Sequence, residues 1–299
     1  MPTYSIQFKA MGCHMQAWAA ADSPDDARVL EEVPAWFEAW EACLSRFRPT
    51  SELSRLNAHA GSWMPVSPLL FDLITDSVEA AEQTNGLFNP LILNALEAVG
   101  YAESFSPSVM TQPSGSARMM DAPVPSWESI RLDLMRGMVC LPAGSRIDLG
   151  GIAKGWAAQE AADRLFERGS AHAGFHGCMI DAGGDIAAHG SPDESDGWIV
   201  SLERGDDDEP VDILLIDESA ATSGTDYRRW QRGDQPMHHL IDPRTGQPSQ
   251  SSVLRASVIA PDASQAVVWA KVSLMTEQFS DYPTLFVYTD GTSASNWEA

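Results

Sequence analysis

Residues 146–156, RIDLGGIAKGW, place a strand-like run, two adjacent glycines and a helix start in direct succession. Such a turn leaves backbone N–H groups pointing outward at a helix N-terminus, where the helix dipole favours an anion, and Gly150 and Gly151 allow close backbone approach to a ligand. A phosphate suits that geometry. Lys154 falls in the first helical turn, where its charge opposes the dipole and calls for an anionic partner. It is one of three lysines, with Lys9 and Lys271, in a chain that has 16 arginines. The same residues also describe a tight strand-to-helix turn with a solvated lysine, and the segment matches neither a Walker loop nor G-x-G-x-x-G.

Residues 238–248, HHLIDPRTGQP, put two histidines beside a turn-forming Asp-Pro-Arg-Thr-Gly sequence. A histidine at a strand end can serve as a base near neutral pH. Adjacent strand residues point to opposite faces, so only one of His238 and His239 can serve a given site. Three further segments carry weaker signals: 180–190, IDAGGDIAAHG, also reads as a hairpin bulge; 221–230, ATSGTDYRRW, also reads as an exposed basic pair; and 45–57, SRFRPTSELSRLN, reads as a helix end, a Pro turn and a new helix capped by Thr50 or Ser51.

The elements that must position these groups follow from periodicity. The N-terminal residues alternate like a strand. Leu30, Val33, Phe37, Trp40, Leu44 and Phe47 recur at three and four, predicting a helix within 22–47 with a kink at Pro34. A second helix begins near Pro68 and ends around Asn85-Gly86, and a third covers 91–99. Residues 102–127 read as a long surface connection. Strands are expected at 130–134, 138–141, 147–149, 179–182, 198–202, 211–216 and 254–259, with an acidic loop at 205–210 and helices at 152–168 and 264–275. A polar tail from about 290 to 299 is expected to fray. The order implies an α+β fold, read as a single domain over 1–299 with mixed or antiparallel sheets flanked by helices.

Composition narrows the function. With 299 residues, 44% of them hydrophobic, the chain can bury a core without staples. Asp and Glu number 42 against 19 Lys and Arg, a net charge of −23 that repels nucleic acid. Cys13, Cys43, Cys140 and Cys178 are scattered, which argues against a disulfide framework or structural zinc. No run suggests an export signal or a spanning helix, so the expectation is a cytoplasmic protein that does not insert into a membrane.

Taken in order, these segments resemble the ApbE-type FAD:protein FMN transferases. Met11-Gly12-Cys13 is similar to that family's Met-Gly-Thr, and 45–57 to its S-R-[YF]-x-P-x-S segment. Residues 84–90, TNGLFNP, are similar to T-x-G-x-[FM]-D-P, 148–155 retain D-L-G-G-I-A-K-G, and Gly183-Gly184-Asp185 matches a G-G-D strand end. The S-G-x-Y element corresponds to 223–227 with one extra residue, and H-x-[IL]-D-P-x-T-G to 239–246. The resemblance implies binding of FAD and transfer of its FMN half, as a phosphodiester, to a threonine hydroxyl of a target flavoprotein, with AMP leaving. It implies that Met11, Phe47, Leu87, Phe88, Asn89, Asp148, Lys154 and Leu240 line the flavin nucleotide, beside the amides of Gly150 and Gly151, and that His239 is the base. The alternative is a non-catalytic, metal-independent flavin nucleotide-binding protein on the same scaffold.

The chain departs from the family pattern at A-D-x-[LW]-x-T, whose Asp and Thr hold magnesium in the family: Val267 and Lys271 stand at those positions. Neither side chain is a ligand for a hard divalent cation, so no metal residues are expected. Lys271 is the sole charge in the apolar run 266–275, and its ammonium is expected to meet a pyrophosphate or Asp148.

Overall fold

The computed structural model describes residues 1–104, 123–192, 197–204, 209–232 and 235–297. The chain opens with strands β1 (Thr3–Ala10) and β2 (Cys13–Ala21), then helices α1 (Val33–Leu44) and α2 (Glu52–Ala58), β3 (Met64–Pro65), α3 (Pro68–Gln83) and α4 (Leu93–Ala98). Next come β4 (Arg131–Asp133), β5 (Met138–Cys140), α5 (Ala153–Gly169), β6 (Phe175–Ala182), β7 (Asp185–Gly190), β8 (Trp198–Leu202), β9 (Val211–Leu215) and β10 (Ser219–Gly224). The chain continues through β11 (Arg229–Arg232), β12 (Gln235–His238), β13 (Ile241–Asp242), β14 (Gln247–Pro248), β15 (Val253–Ala260), α6 (Ala263–Thr276), β16 (Thr284–Tyr288) and β17 (Ser293–Ser295). The fold is α+β, and the pairings within the eight-stranded sheet are antiparallel.

These elements form two compact units, each assembled from separated stretches: residues 1–41, 152–224 and 252–299 in one, 42–151 and 225–251 in the other. The first unit is built on the sheet β1-β2-β6-β7-β10-β15-β16-β17. Because alternate strand residues face opposite sides, Cys178 and Met179 report its two layers. Cys178 donates to the Ala162 carbonyl of α5, and Ala17, Ala19, Ala157, Ala158, Ala161 and Ala162 are fully buried, so small side chains let α5 lie close to the sheet. Met179 instead joins Trp198, Val200, Leu202, Ile213 and Leu215, through which the β8–β9 hairpin covers the opposite face. The second unit holds α2, α3, α4, the small sheet β3-β5-β4 and the hairpins β11-β12 and β13-β14. Ser51 caps α2 and Ser67 caps α3. Glu52 ties the two starts together by accepting from the Ser67 N–H at 2.8 Å and its hydroxyl at 2.5 Å.

Several expectations need correction. The helix anticipated within 22–47 divides into a 3-10 turn, Arg28–Glu32, and α1, and Pro34 sits at the second position of α1, where its missing N–H costs no intrahelical bond. Residues 147–149 do not form a strand. The Asn57 side chain brackets Ile147, accepting from its N–H at 2.7 Å and donating to its carbonyl at 2.9 Å, while the Asp148 N–H donates to the Pro90 carbonyl. A side chain thus occupies the place of a strand partner. The tail is ordered through 297, because Asn296 accepts from the Thr284 N–H and donates to the Ser280 and Tyr282 carbonyls while β17 pairs with β16. Most of the connection expected at 102–127, and residues 205–208 of the acidic loop expected at 205–210, lie outside the described residues.

His189 on β7 joins two further elements of the first unit. Its Nε2 lies 2.6 Å from Asp163 of α5, and its Nδ1 3.6 Å from Asp217 before β10. The hydrogen bond to Asp163, opposed by partial burial and aided by both carboxylate charges, raises its pKa above the ordinary histidine value. A raised folded-state pKa contributes stability that is fully present below the unfolded value of about 6.5 and is lost as pH rises through the folded value. His189→Gln is therefore expected to destabilise the protein by up to about 1 kcal/mol at acidic pH, less above neutrality. Urea unfolding of both proteins at about pH 6 and about pH 9 checks this. A difference that grows with pH would contradict it.

Candidate functional site

In the second unit the chain leaves α1 through Ser45-Arg46-Phe47, and Arg46 becomes the centre of a buried cluster. Its side chain is 6% exposed, and its Nε lies 2.5 Å from Asp148 Oδ2. Nη2 donates to the Tyr101 carbonyl at 2.8 Å, and the guanidinium lies 4.1 Å from the Phe47 ring centroid and 4.8 Å from that of Tyr101. The other Asp148 oxygen accepts from the Gly150 N–H at 2.9 Å, and a Cβ at Gly150 would fall 3.0 Å from it. Both carboxylate oxygens of Asp148 are thereby engaged within this unit.

Residues 87–91 run beside this loop. Asn89 caps the following turn by accepting from the Leu91 N–H and donates to the Pro125 carbonyl, each within about 3 Å. Phe88 is buried and Leu87 half-buried. Asn89, anticipated as a nucleotide contact, thus has a structural duty that fixes the segment preceding Pro90.

The two histidines divide their labour as strand geometry requires. His238 Nε2 bonds the Ser249 carbonyl at 2.9 Å, its Nδ1 accepts from the Leu240 N–H at 3.3 Å, and burial lowers its pKa. That pattern holds a neutral imidazole in one tautomer. His239, just past β12, packs its ring edge-on against Tyr101, with centroids 6.4 Å apart. Tyr101 also meets Phe47 at 6.0 Å and Trp230 at 5.8 Å. Trp230 is held by its indole N–H, which donates to the Val99 carbonyl, and it lies so near Gly100, at φ +107°, that a Cβ there would fall 3.2 Å from the indole nitrogen. Leu240 is buried beside the turn in which the Asp242 carbonyl accepts from the Thr245 and Gly246 N–H groups. The structure therefore links Phe47, Asp148 and His239 through two residues that sequence reasoning did not single out, Arg46 and Tyr101. Arg46 was visible as part of the Ser-Arg-Phe motif, whereas nothing local distinguishes Tyr101.

In the first unit the candidate residues gather at one end of the eight-stranded sheet. Met11 and Gly12 form the two-residue β1–β2 turn, with φ of +49° and +71°, and the Met11 N–H donates to Glu41 at 2.8 Å. Left-handed backbone at a bulky residue costs roughly 1–2 kcal/mol, and such strain tends to persist where function requires it. The β6–β7 turn, Gly183-Gly184, is its neighbour: a Cβ at Gly183 would lie 2.8 Å from that of Cys13. The Gly184 N–H donates to Asp181, whose pKa burial raises. Lys154 pairs with Asp185, whose side chain is 1% exposed, and reaches the Ala182 carbonyl at 3.4 Å. Asp185 is thus an anionic partner that Lys154 called for. One residue on, Gly155 is where α5 crosses α6: a Cβ there would fall 2.5 Å from the Ala263 carbonyl oxygen and 2.9 Å from Val267 Cγ1. Lys271 is half-buried on α6, and its Nζ donates to the Val267 carbonyl at 3.2 Å.

Removing the cation of a buried pair strands its carboxylate, so Lys154→Met is expected to cost about 3–5 kcal/mol, and adding Asp185→Asn should restore most of it. Met11→Asn, a residue that tolerates the left-handed turn beside Gly12, is expected to stabilise by about 1 kcal/mol. Denaturant midpoints of the variants decide both.

Residues 3–281 match the sequence model of the ApbE family. The chain is 27% identical over 301 residues to the FAD:protein FMN transferase of Treponema pallidum (strain Nichols), covering 93% of this chain and 82% of that protein. It is 24% identical over 270 residues to the FAD:protein FMN transferase of Escherichia coli (strain K12), covering 88% and 76%. The crystal structure of the Thermotoga maritima ApbE protein superposes with a TM-score of 0.81 at 21% identity over 98% of this chain and 97% of that one. The apo form of the Pseudomonas stutzeri flavinyl transferase ApbE gives 0.77 at 18% identity over 98% and 94%. A family match across nearly the whole sequence, together with this shared fold, identifies the chain as a member of the ApbE family.

Proposed function

We propose that this protein binds FAD and transfers its FMN half to a threonine hydroxyl of a target flavoprotein, releasing AMP, and that the whole chain works as one functional domain. The observation that carries this reading is the division of the histidine pair. His238 is locked into the local scaffold, while His239 sits beside Tyr101 at the end of β12. The curated relatives named FAD:protein FMN transferase support the assignment.

In the reaction the threonine oxygen attacks the FMN-side phosphorus. The new O–P bond forms as the bond to the AMP phosphate breaks, AMP keeps the bridging oxygen, and a ring nitrogen of His239 takes the hydroxyl proton. Phe47, Leu87, Phe88 and Leu240 supply apolar contact for the flavin nucleotide, with Asn89 and Asp148 in the same unit, and the family resemblance assigns Met11 to the nucleotide as well. With the Gly150 N–H given to Asp148, the Gly150-Gly151 loop offers the Gly151 amide to the diphosphate, and Lys271, together with Lys154 in addition to its pair with Asp185, is assigned to offset the charge. Arg46 already neutralises Asp148, so that carboxylate does not repel the substrate. His239→Asn is expected to lower the transfer rate by about 10²- to 10⁴-fold, read as AMP release and as flavin fluorescence on an acceptor protein from one of the relatives after denaturation. Unchanged rates would remove His239 from the mechanism.

We further propose that the reaction needs no magnesium. The two positions that hold it elsewhere in the family carry a hydrocarbon side chain packed near Gly155 and an ammonium hydrogen-bonded to its own helix, a donor set that does not fit a divalent cation. FAD affinity should be the same with magnesium and with a chelator. The double change Val267→Asp and Lys271→Thr should make it magnesium-dependent. Because Val267 and Lys271 favour it, the same titration tests a second reading, a flavin nucleotide binder without activity: tight binding with no AMP released would select it. The four cysteines, two of them buried, are not joined in disulfides, which supports a reducing, cytoplasmic setting, and among the described residues no helix is long and apolar enough to cross a membrane.

A further inference from the structure

Arg46 is a buried guanidinium with more engagements than an ion pair requires. Asp148 alone would satisfy its charge, yet the same side chain also donates to the Tyr101 carbonyl at 2.8 Å and lies over both the Phe47 and Tyr101 rings. A planar fork can bond in its plane and stack on its faces at once, which an ammonium cannot do. Tyr101 in turn is the residue against which the His239 ring rests, and its hydroxyl lies 3.4 Å from Arg228. Each link belongs to the second unit. A chain of contacts therefore runs from the carboxylate of the Asp-Leu-Gly-Gly loop, through one guanidinium and one phenol ring, to the histidine.

We propose that Arg46 is a positioning residue. By clamping Tyr101 and Phe47 in one arrangement it presents a preformed aromatic wall and sets the orientation of the His239 imidazole. The role rests on the flavin-transfer reading for its purpose, though not for its geometry. It also accounts for why the residue is arginine in a segment otherwise explained by capping and turn formation.

The test uses the full chain with Arg46→Lys, which keeps a charge for Asp148 and loses the fork and the stacking. The His239 ring resonances, followed by NMR against pH in the absence of ligand, are expected to shift, with a displaced titration midpoint. FAD affinity is expected to fall about tenfold, with altered circular dichroism of the bound flavin. Unchanged His239 resonances and an unchanged midpoint would overturn the proposal. If Arg46→Lys does not fold, Arg46→Met combined with Asp148→Asn removes both charges, leaves no stranded ion, and is read in the same way. Failure of both variants to fold would also overturn it, because the residue would then be purely structural. A wild-type protein that bound no FAD would refute the flavin-transfer reading, while the His239 measurement would still decide the role of Arg46.

Discussion

A carboxylate withdrawn from water must find a cation or amide donors, and this requirement organises both units. Asp148 meets it with Arg46 and the Gly150 amide, and Asp185 meets it with Lys154. Each pair joins segments far apart in the chain, from one helix end to a glycine loop and from a helix start to a hairpin turn. Isolated pairs on a surface would contribute little, but a buried pair penalises any arrangement that separates its partners. Backbone geometry near the candidate groups is fixed largely by electrostatics, and the apolar core supplies the surroundings in which those pairs are indispensable.

Local chemistry was legible in the sequence where one residue type has one physical use. A cap at Thr50 or Ser51, Asn85-Gly86 as a helix stop and the Gly183-Gly184 turn were all readable, and the structure has each of them, with Ser51 as the cap. Buried positions of α1 followed from periodicity, as did the apolar side of α5. Less legible were features created by partners distant in sequence. Ile147 pairs with the Asn57 side chain, which no strand pattern can announce. Tyr101 lies in a stretch without periodicity, and its contacts to Arg46, Trp230 and His239 come from three other segments. The pairing of Lys154 with Asp185 was hidden for the same reason, the partner lying 31 residues away. Motif resemblance names candidate residues but cannot announce which neighbours hold them, as Arg46 holds Asp148 and Asp185 holds Lys154.

Glycines and alanines do complementary work. Gly155 lets α5 and α6 cross at backbone contact, and the buried alanines of β2 and α5 bring helix and sheet together. Substitution at these places is limited by space, whereas at Met11 and Gly183 it is limited by backbone angle as well.

The order of the large sheet also determines where additions to the chain emerge. β1 forms one margin and β17 the other, with seven interstrand steps between them, up to about 34 Å at the usual spacing. A fusion at the start and one at the finish therefore leave from opposite rims. Linking the start of β1 directly to the end of β17 would require a tether of roughly ten extended residues crossing a whole layer.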